Sequence, residues 1–293
     1  MVLAVKRRDF IKFVAFAPIA SVLLSPDKAF SYFFPLEAEN ELVIDQCKSV
    51  DAQKIYSKEY FKKIEDFNQS FEDDVYASAV EFALIKSCNE KLRELMRFVG
   101  FGNFNVITYK DTLSTMNMRP SLHSFTPQEI SFLEDFFHRS ASYYGFYGDK
   151  VCSSLHDEVK EKHITKIPNT GHYLYKGKAV DVYNRITSEM DTLILTSGVR
   201  GVVKQASLFL NKIVETKGNI SMASRSIAPI GYSFHGVGDF DVGIKGWGHN
   251  NFTDKFATTS EYSRLMEGGY MRIRYDRKNP YGVRFEPWHV KVV

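Results

Sequence analysis

The sequence predicts an α+β fold: a small antiparallel sheet with flanking helices, preceded by a mainly helical N-terminal region. Three observations lead there. In the first half, apolar residues between Asp73 and Val99 recur at three- and four-residue steps, the period of a helix with one buried face. In the second half, short β-rich apolar runs such as Asp191 to Thr196 lie between glycine-containing turns. The chain has 293 residues, 44% of them hydrophobic and 25% charged, so a buried core is expected, in one large domain or two modest ones. The expected division is a leader over residues 1–31, a mainly helical region over 32–160 and a sheet-containing domain over 161–293.

Composition narrows the partners. The formal net charge is +3 and part of it sits in Lys6-Arg7-Arg8, which gives no reason to expect nucleic-acid binding. Cys47, Cys88 and Cys152 are far apart and form no CxxC pair, so a zinc ribbon and a redox motif are both excluded. Three small buried hydrophobes are expected.

Lys6-Arg7-Arg8-Asp9-Phe10-Ile11-Lys12 resembles the twin-arginine export signature. The apolar run that follows, Phe13 to Leu24, is short for a membrane span, which needs ~20 residues, and it contains Pro18. The resemblance implies passage through the twin-arginine translocation machinery to the periplasm or another exported location. Membrane contact is then expected only through this segment, if it is left uncleaved.

Leu36 to Lys63 is polar and acid-rich, a linker leading into a helix start. The helix expected from Asp73 to Val99 turns Val75, Ala79, Phe82, Ile85, Leu92, Leu95 and Met96 to one side, and Gly100 and Gly102 stop it. Phe104 to Tyr109 alternates and predicts a short strand. Thr126-Pro127-Gln128-Glu129 predicts a helix start, with Thr126 as cap, Pro127 in the first turn and Glu129 closing a capping box. That helix should run to about Tyr144 and bury Ile130, Phe132, Leu133, Phe136 and Phe137. The aromatic cluster Tyr143 to Tyr147 is expected to pack between helices.

Further on, Gly171 to Tyr175 reads as a turn entering a strand, with His172 in a structural role. Asp191 to Thr196 reads as a buried strand broken by Ser197-Gly198. A helix starting near Arg200 passes Val203, Ala206, Phe209, Leu210 and Ile213 and stops at Gly218. Arg200 thus stands at the exit of a buried strand, with Gln205 inside the helix.

The chemistry is concentrated in Tyr232 to Gly243, where His235, Asp239 and Asp241 lie among glycines, and in Glu286-Pro287-Trp288-His289. A catalytic zinc takes three protein ligands and keeps a fourth position for water. His235, Asp241 and His289 would supply two imidazoles and one carboxylate, and Asp239 is the alternative ligand. A zinc ion there lowers the pKa of a water to ~7. Glu286 is then the candidate general base, and Arg200 the donor to the carbonyl oxygen as charge develops on it. Residues three apart on a flat strand face opposite ways, so Glu286 and His289 converge only if the backbone turns at Pro287-Trp288.

These residues carry a resemblance. Ser197-Gly198-Val199-Arg200 with Gln205, then Ser233-x-His235-x2-Gly238 with Asp241, and finally Glu286-Pro287-Trp288-His289 resemble the zinc D-alanyl-D-alanine carboxypeptidases and dipeptidases of the vancomycin-resistance type. That family is grouped with lysostaphin-like peptidases and the Hedgehog signalling domain. The resemblance covers about Leu193 to His289. It implies zinc on His235, Asp241 and His289, Glu286 as base, Arg200 stabilising the tetrahedral intermediate, and Ser233 and Gln205 supporting the site and the substrate. The implied substrates are peptidoglycan stem peptides, most simply a C-terminal D-alanine. One departure stands out: five residues separate His235 from Asp241 where the family usually has six. The competing expectation is a cell-wall-binding protein that keeps the fold and the metal but has no turnover.

Overall fold

The computed structural model describes residues 57–293. The export signature, Cys47 and most of the polar linker lie outside the described residues. Among the described residues no helix is long and apolar enough to cross a membrane.

Helix α1, Lys58–Glu65, begins at Ser57, whose side chain accepts from the Tyr60 amide. Helix α2, Ala79–Val99, starts six residues later than the apolar period suggests, because Ser78 and Glu81 form a reciprocal capping box. Asp73 to Ala77 do other work. Asp74 is buried in an ion pair with Arg225 and accepts from Asn219 Nδ2 at 2.7 Å, while Tyr76 bridges Asn219, so this stretch is tied to distant chain. Gly100, at φ 83°, ends α2 as expected.

The strand expected at Phe104 to Tyr109 is not formed. Phe101–Phe104 is one helical turn, α3, and Thr108 caps helix α4, Tyr109–Met118, by accepting from the Asp111 amide. The alternation that suggested a strand is two helix ends in succession, and Thr108-x-x-Asp111 was the local signal that outweighed it.

Helix α5, Pro127–His138, has the expected Thr126/Glu129 capping box and Pro127 in its first turn. It ends at Arg139, short of the expected limit, and a 3-10 turn over Ala141–Tyr144 follows. Phe132, Leu133, Phe136 and Phe137 are buried. Of the aromatic cluster, Tyr144 packs on Phe209 at 6.2 Å and Phe146 on Tyr232 at 5.7 Å, while Tyr143 is exposed. The cluster is interhelical packing.

Strands β1, Ile164–Ile167, and β2, His172–Tyr175, form an antiparallel pair. Helix α6, Lys178–Glu189, leads to strand β3, Leu193–Ser197. Helix α7, Val202–Glu215, and the turn α8, Ile220–Ser224, precede strand β4, Phe240–Ile244. Helix α9, Ser260–Glu267, and the two-residue strand β5, His289–Val290, complete the order. Strands β3, β4 and β5 make an antiparallel sheet in that order.

Two hydrophobic clusters support these elements. One lies around the sheet and contains Leu193, Leu195, Phe240, Val242, Trp288 and Val290. The other joins Ile85, Leu92 and Leu95 of α2 and Phe132 to Phe137 of α5 to Val203, Phe209, Leu210 and Ile213 of α7. Helix α2 packs along α7, so the helix following Arg200 is anchored by the N-terminal helices. Cys88 is buried, Cys152 is half-buried, and both are free thiols.

Candidate metal centre

The site is assembled at one end of the three-stranded sheet. Asp241 is opposite Ser197 on β3 and opposite His289 on β5, so register alone sets the carboxylate beside one imidazole. A bulge in β3 between Leu195 and Ser197 alters the pairing next to Asp241. His235 comes from the short 3-10 turn Phe234–Gly236, directly before β4. The His235 and His289 rings meet edge to face at 4.9 Å.

The tetrapeptide at the C-terminal side makes the required turn. The His289 amide donates to the Glu286 carbonyl at 3.1 Å, so Pro287 and Trp288 are the two central residues of a β-turn. This brings Glu286 Oε2 to 3.7 Å from His289 Nδ1. Trp288 is buried behind the turn against Phe252.

Each histidine is oriented by a hydrogen bond from its other nitrogen. His235 Nδ1 lies 2.9 Å from the Gly198 carbonyl, an acceptor only, so Nδ1 carries the proton and Nε2 faces the site with its lone pair. His289 Nε2 lies 3.1 Å from Asp239 Oδ2, which leaves Nδ1 directed inward. Asp239 is itself held by Arg274 and accepts from the Val292 amide at 2.8 Å. The Arg274 guanidinium in turn lies over the Phe234 ring at 3.6 Å. Asp239 thus orients a candidate ligand from behind.

Asp241 Oδ1 lies 3.3 Å from His235 Nε2 and 3.2 Å from His289 Nδ1. Tetrahedral zinc with bonds of ~2.0–2.1 Å sets neighbouring ligand atoms about 3.3 Å apart. One ligand atom from each of the three residues falls within 4.8 Å of the others, and all three residues are buried. His235 Nε2 and Asp241 Oδ1 are buried without a hydrogen-bond partner, an arrangement that is costly unless a cation fills the space between them. The residues present fit a metal ion.

The charges agree. Burial, reinforced by Arg200, pushes the His235 imidazole down to about 4, so it is neutral near pH 7 and able to ligate. Burial opposes the Asp241 carboxylate, but His235, His289 and Arg200 overcome it and hold the group well below its ordinary value. Burial also disfavours protonated His289, yet the hydrogen-bonded Asp239 carboxylate and the Asp241 carboxylate beside it raise it to about 9. A positive charge is therefore favoured at the place where the three ligand atoms converge. Burial raises the Glu286 carboxyl above the usual range.

The cluster opens into a cleft of about 380 Å³ lined also by Ser197, Arg200, Lys204, Ser233, Tyr275, Arg284 and Glu286. Arg200 is committed on one side, with Nε to Ser197 Oγ at 3.0 Å and Nη2 to Asp241 Oδ2 at 2.9 Å. A guanidinium has five N–H donors, so others are left for a ligand in the cleft. Gln205 is buried in α7, donates to the Ala228 carbonyl, and does not line the cleft, although Ala228 does. Sequence reasoning passed over Lys204 and Arg274. Lys204 occupies a variable position between Arg200 and Gln205, and Arg274 lies outside any short motif, so only the fold gives either of them a place near the site.

Residues 176–293 match the VanY family model, described as D-alanyl-D-alanine carboxypeptidase. Every candidate site residue, from Arg200 to His289, lies inside that segment. Among solved structures, the chain is similar to the LdcB LD-carboxypeptidase, at 23% identity and TM-score 0.36, covering 41% of this chain and 59% of that one. It is similar to the vancomycin-resistance D,D-pentapeptidase VanY in complex with Zn(II), at 23% identity and TM-score 0.36, covering 44% and 78%. It is also similar to VanYB in complex with D-alanine-D-alanine, at 24% identity and TM-score 0.36, covering 44% and 76%. The chain therefore spans less than two thirds of the first of these proteins. No curated protein sequence matches it.

Proposed function

We propose that this chain is an exported zinc-dependent peptidase that hydrolyses peptide bonds in peptidoglycan stem peptides, as a D-alanyl-D-alanine carboxypeptidase. The observation that carries the reading is the convergence of His235 Nε2, Asp241 Oδ1 and His289 Nδ1 in a buried cluster beside Glu286 and Arg200. The match of residues 176–293 to a carboxypeptidase family model supports it.

In this proposal His235, Asp241 and His289 hold the metal. Bound zinc supplies Lewis acidity, which polarises the scissile carbonyl and acidifies the attacking water. Glu286 takes the proton of that water and delivers it to the departing amine. Its raised pKa suits this exchange, because a carboxyl nearer neutrality both accepts and returns a proton readily. Arg200 has two tasks: one edge holds Asp241 in its ligating orientation, and the remaining N–H groups face the substrate carbonyl as it gains negative charge. Trp288 closes the rear of the site against water. Ser233, on the cleft lining, and Gln205, which fixes the Ala228 backbone, support the substrate wall.

Residues 161–293 are the proposed catalytic part and the preceding helices its support. Residues 1–31 are the proposed export segment. The test is to incubate purified, zinc-loaded protein with muropeptides and follow D-alanine release by mass spectrometry. Release that is lost on chelation and restored by zinc is expected; zinc-loaded protein that cleaves no muropeptide overturns the reading.

A further inference from the structure

Lys204 is the anomaly of the cleft. It lies on the first turn of α7, lines the same cleft as the metal cluster, and is only 8% exposed. A buried ammonium is normally paired, as Lys91 is with Glu129 at 2.6 Å. Among the described residues, no carboxylate lies within ion-pair distance of Lys204. Its Nζ lies instead 4.8 Å from the Phe101 ring centre and 5.6 Å from that of Phe104.

The two guanidiniums of the cleft each have a carboxylate within ion-pair distance. Arg200 pairs with Asp241 at 2.9 Å, and Arg284 lies 3.7 Å from Glu286. Among the lysine and arginine side chains that line the cleft, Lys204 is the one with no carboxylate within ion-pair distance. Ring faces attract a cation weakly compared with a carboxylate, so the two phenylalanines hold the ammonium in place without neutralising it. His172, the neighbouring cleft residue, is neutral at pH 7, since burial and Arg200 push its imidazole down to about 4, and it neither neutralises the ammonium nor adds a second charge. Burial and Arg200 also draw Lys204 down, to about 8, so the ammonium still prevails at neutral pH.

We propose that Lys204 is an anion-recognition point in the cleft, pairing with a carboxylate of the bound peptide. The inference rests on the peptidase reading for the identity of the ligand as a peptide. The carboxylate belongs either to the peptide's C-terminus or to an acidic side chain next to the scissile bond. Phe101 and Phe104 precede the carboxypeptidase-like segment in sequence, so the helical region contributes to the selection of substrate through this contact.

The test uses the zinc-loaded full chain and its Lys204→Met variant, in which the apolar stem on the two rings is kept and only the charge is removed. Binding by calorimetry and hydrolysis are measured for acetyl-Glu-D-Ala-D-Ala and acetyl-Gln-D-Ala-D-Ala, each as free acid and as C-terminal amide, after melting curves show that the variant is folded. Wild type is expected to prefer the peptide carrying the recognised carboxylate by about ten- to a hundredfold, and the variant to lose that preference while binding the neutral amide unchanged. Loss of the acid-over-amide preference assigns the terminal carboxylate; loss of the Glu-over-Gln preference assigns the side chain. A folded variant that keeps wild-type preferences overturns the subsite and leaves the peptidase reading intact. A Lys204-dependent preference in binding without any hydrolysis upholds the subsite and overturns the peptidase reading. Wild type that binds none of the four peptides overturns both.

Discussion

Asp239→Asn separates a carboxylate that ligates from one that orients. Asp239 accepts hydrogen bonds from the Arg274 guanidinium and from the Val292 amide at 2.8 Å, and lies 3.1 Å from His289 Nε2. The substitution keeps the size of the side chain, removes its charge, and leaves Arg274, itself 6% exposed, without its counter-ion. Removing one partner of a buried pair costs about 3–5 kcal/mol, so the chemical denaturation midpoint should fall well below that of wild type. Zinc affinity should fall by about 10–100-fold, as for loss of a group that orients a ligand, and not vanish. Asp241→Asn, by contrast, removes a ligand atom and should abolish measurable binding. Competition titration against a chromophoric chelator gives both affinities, and far-UV circular dichroism confirms folding during the titration. In the double variant Asp239→Asn/Arg274→Met the orphaned charge is gone, so part of the stability should return while the metal defect remains. If Asp239→Asn loses zinc as completely as Asp241→Asn, or if Asp239→Asn alone binds like wild type, the assignment of ligand and support is wrong.

Glu286→Ala should keep zinc and lose activity by about 10²–10⁴-fold in the D-alanine release assay; unchanged function would favour a wall-binding protein without turnover. Gly198→Ala would place a Cβ 2.0 Å from the Tyr173 carbonyl oxygen, and the Gly198 carbonyl also orients His235. It should cost about 1–3 kcal/mol in denaturation and weaken zinc binding in titration. On the acid side, burial opposes the Glu129 carboxylate, but hydrogen bonds from Lys91, Ser87 and Thr126 hold its pKa below the ordinary 4.5. A depressed folded-state pKa contributes stability that is present above the unfolded value and lost as pH falls through the folded one. Denaturation midpoints of wild type should therefore drop as pH is lowered below about 4.5, and Glu129→Gln should flatten that dependence and be less stable at pH 7.

The site was readable in outline because its chemistry is carried by short-range pattern: a histidine and two aspartates among glycines, and Glu286 separated from His289 by a Pro-Trp turn. Helices with strong caps were equally readable, as Thr126 to Glu129 shows. Where two local signals overlap, the cap or the long-range contact overrides the apolar period. At Phe104 to Tyr109 the apolar alternation concealed the Thr108 cap, and at Asp73 the helical period continued through residues that are bound instead to Arg225 and Asn219. Sequence favours Asp241 over Asp239 as the ligand only through the family resemblance, because an extended segment would turn both carboxylates to one face; in the fold β4 begins at Phe240, and Asp239 lies just before it. Only the pairing of Asp241 with His289 across β4 and β5, and of Asp239 with Arg274, distinguishes their surroundings. Arg274 and Lys204 take their meaning from contacts across the fold, which no local window contains.

The cluster that joins α2 and α5 to α7 sets a limit on how the chain can be cut. Val203, Phe209, Leu210 and Ile213 share one cluster with Ile85, Leu92, Leu95, Phe136 and Phe137, all before position 160, as well as with residues that follow it. A fragment beginning at residue 161 would keep every candidate metal-binding residue and yet expose that face of α7 to water, with about 1.5–3 kcal/mol lost for each large side chain uncovered. The smallest fragment able to fold is thus longer than the segment that carries the chemistry. Transplanting the candidate site into another protein would require the helical buttress as well as the His235, Asp241 and His289 cluster.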